Sequence, residues 1–390
     1  MTETADVIVV GAGVQGASLA FHLARRGASV LVIERSAMAA GATGRSSGFV
    51  RMHYDLESDA RLAWASFPYF LDWQNLVGAG DCSFVRTGFL QIMSAEFETQ
   101  VRANVEMMQR VGIDTRIVGP DEIARLVPGA ATDDIGIAAY EPRSGYADPS
   151  GTAAGFLAAA RTLGARYVGG CQVSAVKVVG EAVAGVETDH GSFAAPVVVD
   201  VAGAWAAGLA GTVGLDVPVQ AWRHDTAYFG LPAGRSPDFP VVIDEVSQVY
   251  FRPEGHDLML VGLEAGNEIG GSPDRPHLAA GPAIMEDVVE RLCRRLPWMT
   301  DGTLRTSHGG QDGITPDQRP IIGQAGPDGF YLSCGFSGTG FKTAPAIGAS
   351  LAELILDGRT TTADISPYSL ERFAAGRPLV GEHSYGSLWR

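Results

Sequence analysis

Three glycines and one acid in this chain have the types and spacing of a dinucleotide grip. Gly11, Gly13 and Gly16 follow the apolar run Val7–Val10 and open an Ala/Leu-rich stretch of helical character. Such a turn needs Gly11 for tightness, Gly13 for close approach of a pyrophosphate, and Gly16 for close packing of helix on strand. A helix starting there presents unpaired N–H groups and the positive end of its dipole to phosphates. Glu34 ends the next apolar run, Val30–Glu34, where a carboxylate can accept both hydroxyls of an adenosine ribose. The choice between FAD and a nicotinamide cofactor stays open at this point. The loop Gly41–Gly48 then gathers small residues, hydroxyls and backbone donors, suited to closing over a diphosphate or a flat ring. Farther on, Gly335-Phe-Ser-Gly-Thr-Gly-Phe-Lys342 ends on a lysine. The 29 basic residues include only two lysines, Lys177 and Lys342, so a lysine here is a distinct chemical choice.

The elements around these residues read as alternating strands and helices returning to one core. With 390 residues the chain has room for two domains or one core with a large insertion. Helical patterns are expected over 55–77, 96–111, 121–126, from Asp148 onward, 282–296 and 344–356. Strands are expected over 87–93, 171–179, 182–188, 197–201, 241–244, 248–252, 258–263 and 330–333. The core would be visited three times, by 1–80, 147–216 and 307–390. The excursions 81–146 and 217–306 would form one mostly antiparallel sheet over the reacting end of the cofactor. The expected fold class is therefore α/β, α+β overall: a Rossmann-like domain with an inserted antiparallel-sheet substrate domain.

A formal net charge of −15 offers no basic field for nucleic acid or an anionic membrane surface, so neither is an expected partner. Four cysteines, Cys82, Cys171, Cys293 and Cys334, are far apart and form no C-x-x-C pair, which fits a reducing cytoplasm and no metal site. The N-terminal apolar run reads as the first strand and not as a secretion signal.

Taken together, Val10–Gly16, Glu34-Arg35, Gly44–Gly48, Ala202-Gly-Ala-Trp205, Thr315-Pro-Asp317 with Pro320–Gly323, and Gly335–Lys342 resemble the FAD-dependent oxidoreductases of the D-amino-acid-oxidase superfamily, nearest the sarcosine oxidase and glycine oxidase branch. The resemblance covers nearly the whole chain and implies FAD at a two-domain interface. It implies a cofactor-binding set of Gly11, Gly13, Val14, Gln15 and Gly16 for the pyrophosphate, with Glu34 and Arg35 for the ribose end. Ala42, Thr43, Arg45, Ser46, Ser47 and Gly48 would line the flavin side, with Val173 at the adenine and Ala202 and Trp205 nearby. Gly338, Thr339, Gly340, Phe341 and Lys342 would lie at a helix N-terminus facing the flavin. Arg51 and Lys342 would hold a substrate carboxylate, with His53 and Tyr54 beside them in the catalytic set. His224, Tyr250 and Glu264 are further residues within reach of the pocket.

The implied reaction is oxidation of the C–N bond of an N-substituted glycine or other secondary amino acid, by hydride transfer to flavin and imine hydrolysis, with O2 as electron acceptor. The alternative is a D-amino-acid, dimethylglycine or proline-type dehydrogenase with another acceptor. Three departures shape these expectations. Arg305–His308 lacks the cysteine by which sarcosine oxidases tether flavin, so FAD is expected to be non-covalent. Asp312 stands where glycine oxidases place a carboxylate-binding arginine. No lysine lies in 258–261, where the oxygen-activating lysine of sarcosine oxidase would align.

Overall fold

The structure, a computed structural model, describes residues 3–263, 267–275 and 279–386. Val7–Val10 lies at the centre of a six-stranded sheet, between Val30–Glu34 and Val197–Asp200. Its register is parallel on both sides, Val7 opposite Val30 and Val197 opposite Val7. Phe330–Cys334 continues the parallel order, and Ile321–Gln324 closes that edge antiparallel. The other edge is Arg166–Gly169, parallel to Val30–Glu34, a strand the sequence pattern does not reveal. Its half-exposed residues lack the buried apolar run of its neighbours.

Strands buried on both faces need helices on both faces. Val14–Arg25, Pro149–Thr162 and Gly340–Asp357 cover one side as a single apolar cluster that also includes Glu57–Leu71. Asp148 caps the second of these, accepting the Ser150 N–H at 2.9 Å. The first and last helices cross so closely that a Cβ at Gly348 would lie 2.3 Å from Ser18 Oγ. The last helix begins at Gly340, four residues before its expected start, so its N-terminus falls inside the glycine loop itself.

Both excursions enter one eight-stranded sheet among the described residues, ordered Thr303–Ile314, Gln220–Gly230, Leu258–Leu263, Val249–Glu254, Val241–Asp244, Phe89–Met93, Ile137–Glu141, Arg116–Val118. Every neighbouring pair is antiparallel except Val241–Asp244 with Phe89–Met93, the parallel seam where the two excursions join. Two long strands at its edge, Thr303–Ile314 and Gln220–Gly230, were not expected. Gly309, Gly310 and Gly313, with His308, Gln311 and Asp312, give the first a poor intrinsic strand preference, which extended pairing overrides. Thr303–Ile314 also runs through the expected boundary at 306/307. A smaller sheet joins Glu3–Thr4, Gly191–Ala194, Ala182–Thr188 and Val173–Val179.

Buried ion pairs tie the C-terminal region to this frame. Arg372 binds Asp317 at 2.7 Å, and Arg319 binds Asp55 at 2.6 Å. Asp317 therefore anchors the chain end, and the Thr315-Pro-Asp317 turn supports the glycine loop through a Ser337–Thr315 hydrogen bond. No helix among the described residues is long and apolar enough to cross a membrane.

Candidate functional site

A cavity of about 740 Å³ runs along the carboxyl ends of the central strands, where open α/β sheets bind ligands. Its middle is the glycine turn. Gly11 has φ +114°, and a Cβ there would lie 2.6 Å from the Val201 carbonyl oxygen. Gly16 does not line the cavity; its Cβ would lie 2.0 Å from the Gly11 carbonyl oxygen, so it permits the turn from behind. Gly13, Val14 and Gln15 open the first helix toward the cavity. The Thr43 hydroxyl accepts the Val14 N–H at 3.0 Å, while Gln15 Nε2 donates to the Gly340 carbonyl at 2.7 Å and so joins the two helix N-termini.

On one side of the turn, Glu34, Arg35 and Cys171–Ser174, Val173 included, line the cavity. Glu34 is fixed by the Ala12 and Ser36 N–H groups, both at 2.9 Å. Arg35 lies 4.1 Å from the Trp205 ring, and Asp274 accepts from both Arg35 Nη1 and Trp205 Nε1 at 2.8 Å. Sequence reasoning missed this clasp, because Asp274 comes from the far sheet's loop and carries no local signature. Cys171, Asp189 and His190 bring ligand atoms within 4.8 Å of one another near this end.

On the other side lie Ala42, Thr43, Arg45, Ser46, Ser47, His224, Thr226, Tyr250, Gly310–Asp312, Gly338, Gly340 and Phe341, with Ala202 and Trp205 between the two ends. The Arg45 stem crosses Gly310, where a Cβ would lie 2.9 Å from that of Arg45, and its guanidinium donates to the Ala40 and Gly41 carbonyls. Arg252 donates to the Ser47 carbonyl at 2.6 Å and lies over Tyr146. Gly48 lies outside the lining: with φ +72°, it turns the chain against Ala147, whose carbonyl oxygen a Cβ would meet at 2.3 Å. Thr339 is also outside, its hydroxyl donating to the Phe336 carbonyl at 2.7 Å. Glu264 falls outside the described residues.

Behind this end, one residue past Phe341, the structure brings together Arg51, Tyr54 and Lys342, all buried and none lining the cavity. Arg51 Cζ lies 4.8 Å and Lys342 Nζ 5.8 Å from the centre of the Tyr54 ring. Arg51 Nη1 donates to the His53 carbonyl, and Lys342 Nζ to the Gly338 carbonyl at 3.4 Å. Burial, then the nearby Arg51 charge, holds the Lys342 ammonium well below its usual range. Glu141 lies in the same interior, accepting from Met52 N–H and Ser144 Oγ, with its carboxyl pushed up to about 7 by burial. His53 turns elsewhere: its Nε2 meets Tyr385 Oη at 2.8 Å, and burial lowers it to about 3, so it is neutral.

The fit to a dinucleotide is specific. The first-turn amides of a helix face the middle of the cavity, and an acid closes the neighbouring strand on one side. Residues 6–354 match the family description "DAO: FAD dependent oxidoreductase". The human mitochondrial sarcosine dehydrogenase is 28% identical over 388 residues, covering 96% of this chain and 42% of the relative. The chain thus spans under half the length of that relative. Sarcosine oxidase subunit beta from Arthrobacter sp is 26% identical, covering 98% of this chain and 94% of the subunit. L-proline dehydrogenase from P.horikoshii superposes with a TM-score of 0.89 at 26% identity, covering 97% of this chain and 100% of the other. The chain belongs to the DAO family of FAD dependent oxidoreductases.

Proposed function

We propose that this chain oxidises the C–N bond of an amino acid bearing a secondary amine, an N-substituted glycine such as sarcosine being the type substrate. The observation that carries this reading is the pair of buried cations, Arg51 and Lys342, both near the Tyr54 ring behind the cavity end opposite Glu34. Two like charges in a low-dielectric interior repel, and a substrate carboxylate relieves that repulsion through charge-assisted hydrogen bonds. The names of the sarcosine dehydrogenase and sarcosine oxidase relatives point to the same substrate class.

FAD held along the cavity would supply a hydride acceptor for the substrate's α-C–H, and the imine so formed would hydrolyse in water to an amine and an aldehyde or glyoxylate. The chain's own residues orient. Gly11, Gly13, Val14, Gln15 and Gly16 form the phosphate turn, with Glu34 and Arg35 at the ribose and Val173 at the adenine. Ala42, Thr43, Arg45, Ser46 and Ser47, with Gly338, Gly340 and Phe341, border the redox end. Arg51 and Lys342 fix the carboxylate, and Tyr54 sets their separation, so that the reacting C–H is held in one direction. Segments 81–146 and 217–306 supply most of the substrate-facing sheet. FAD is read as non-covalent because Arg305–His308 carries no cysteine, and among the described cysteines Cys171 alone lines the cavity, at the end that holds Glu34. A cytoplasmic setting fits four unpaired cysteines.

The electron acceptor is O2 on this reading. A dehydrogenase with another acceptor is favoured by one feature, the absence of a lysine from the buried strand Leu258–Leu263. The test is anaerobic addition of sarcosine and other N-alkyl amino acids to the yellow protein. Bleaching by at least one, followed by recovery of colour in air, is expected. Colour that persists across the whole panel overturns the substrate class, and bleaching that recovers only with an artificial acceptor selects the dehydrogenase.

A further inference from the structure

The last helix presents its N-terminus at the redox end of the cavity, yet one of the amides there is already taken. Asp312 accepts the Gly338 N–H through Oδ2 at 2.6 Å and the Gly313 N–H through Oδ1 at 2.8 Å. Asp312 and Gly338 both line the cavity. The lining divides at the glycine turn, with the acid-bearing strand end Glu34 on one side and Gly310–Asp312 on the other. A dinucleotide places its adenosine ribose on the strand-end acid, so its redox ring takes the side that holds Asp312.

We propose that Asp312 tunes the reduction potential of bound FAD downward, placing a carboxylate beside the helix amides at the redox end of the cavity. The inference rests on the reading above that FAD fills this cavity with its ring at that end. Hydride transfer adds one negative charge to the ring, and a carboxylate held nearby in a dry interior opposes it. Burial raises the Asp312 pKa; the bonds from Gly338 and Gly313 oppose that rise by favouring the charged carboxylate, and they occupy an amide that could otherwise stabilise the reduced ring. Lys342 acts against it: Asp312 and Lys342 interact electrostatically. Of the charged groups at this end, Asp312 and Arg45 line the cavity, while Lys342, Arg51 and Glu141 lie behind it.

The test is reductive titration of FAD-loaded protein against a reference dye, with dithionite as reductant and no amine substrate. In D312N and D312S the dye-to-flavin equilibrium should shift toward reduced flavin by about tenfold or more, the scale of one charge removed from such a site. D312E, which keeps the charge, should return most of the shift. FAD stoichiometry and Tm are read in parallel. An equilibrium unchanged within about twofold in both neutral variants overturns the proposal. Loss of FAD from both neutral variants also overturns it, because Asp312 is then a structural latch. Because no amine is used, failure of the substrate reading leaves this result standing, and the reverse holds.

Discussion

At the scale of single residues, the interior behind the cavity sets two cations, Arg51 and Lys342, near the buried acid Glu141. Arg51 and Lys342 approach one tyrosine ring, and the ammonium is depressed first by burial and then by Arg51. A carboxylate ligand reverses that depression, so substrate and a proton on Lys342 bind cooperatively. Accordingly kcat/KM should fall as pH rises through the lowered Lys342 pKa, and that limb should vanish in K342A. Each of R51A and K342A should lower kcat/KM by about 10- to 100-fold, the worth of a charge-assisted bond to a buried carboxylate. FAD content should stay unchanged, since neither side chain lines the cavity. A variant with unchanged kcat/KM for an N-alkyl glycine would remove that residue from the carboxylate site. Lys342 stood out in the sequence because lysine is rare in this chain, and Arg51 because of its spacing from the small-residue loop. Their meeting at the Tyr54 ring, and the turning away of His53 to Tyr385, depend on tertiary packing that no local pattern records.

At the scale of elements, the strand–turn–helix unit was legible because each of its residues answers a local backbone demand. Gly16 is the sharpest case: with a Cβ 2.0 Å from the Gly11 carbonyl oxygen, backbone must move. G16A should reduce bound FAD at least about tenfold and lower Tm, measured by flavin absorbance per protein and by thermal melting. Full FAD occupancy in G16A would show that the turn tolerates that movement. By contrast, the edge strand Thr303–Ile314 was illegible, its glycines and polar residues masking a pairing that only Gln220–Gly230 supplies. The loop carrying Asp274 was equally silent, since its partners Arg35 and Trp205 lie 239 and 69 residues away. This clasp is exposed and worth little by itself. D274A should therefore speed FAD loss only about two- to fivefold, read from recovery of flavin fluorescence on dilution; no change would mean the clasp does not retain the cofactor.

At the scale of the whole molecule, the sheet that carries the cofactor also carries a buried acid. Asp200 ends the strand Val197–Asp200 between two parallel neighbours, fully buried, with Oδ1 accepting the Ala202 N–H at 3.0 Å and Oδ2 without a hydrogen-bond partner among the described residues. Burial pushes its carboxyl from 3.8 up to about 7. An unfolded chain gives up this proton near pH 4, whereas the folded chain keeps it to about pH 7. Between those values the native state binds more protons than the unfolded one, so stability falls as pH rises and levels off above 7. Glu141, raised from 4.5 to about 7, adds a slope of the same sign. Neutral replacements remove the titration: D200N should become more stable relative to the parent protein by about 2–4 kcal/mol between pH 5 and pH 8. The measurement is denaturant unfolding at several pH values with FAD in saturating amount. A difference between D200N and the parent that stays constant from pH 5 to pH 8 would mean that Asp200 does not titrate in that range. If instead D200N gains on the parent up to about pH 7 as expected, the acid beneath the glycine turn is neutral at mildly acidic pH and costs the fold stability above that range.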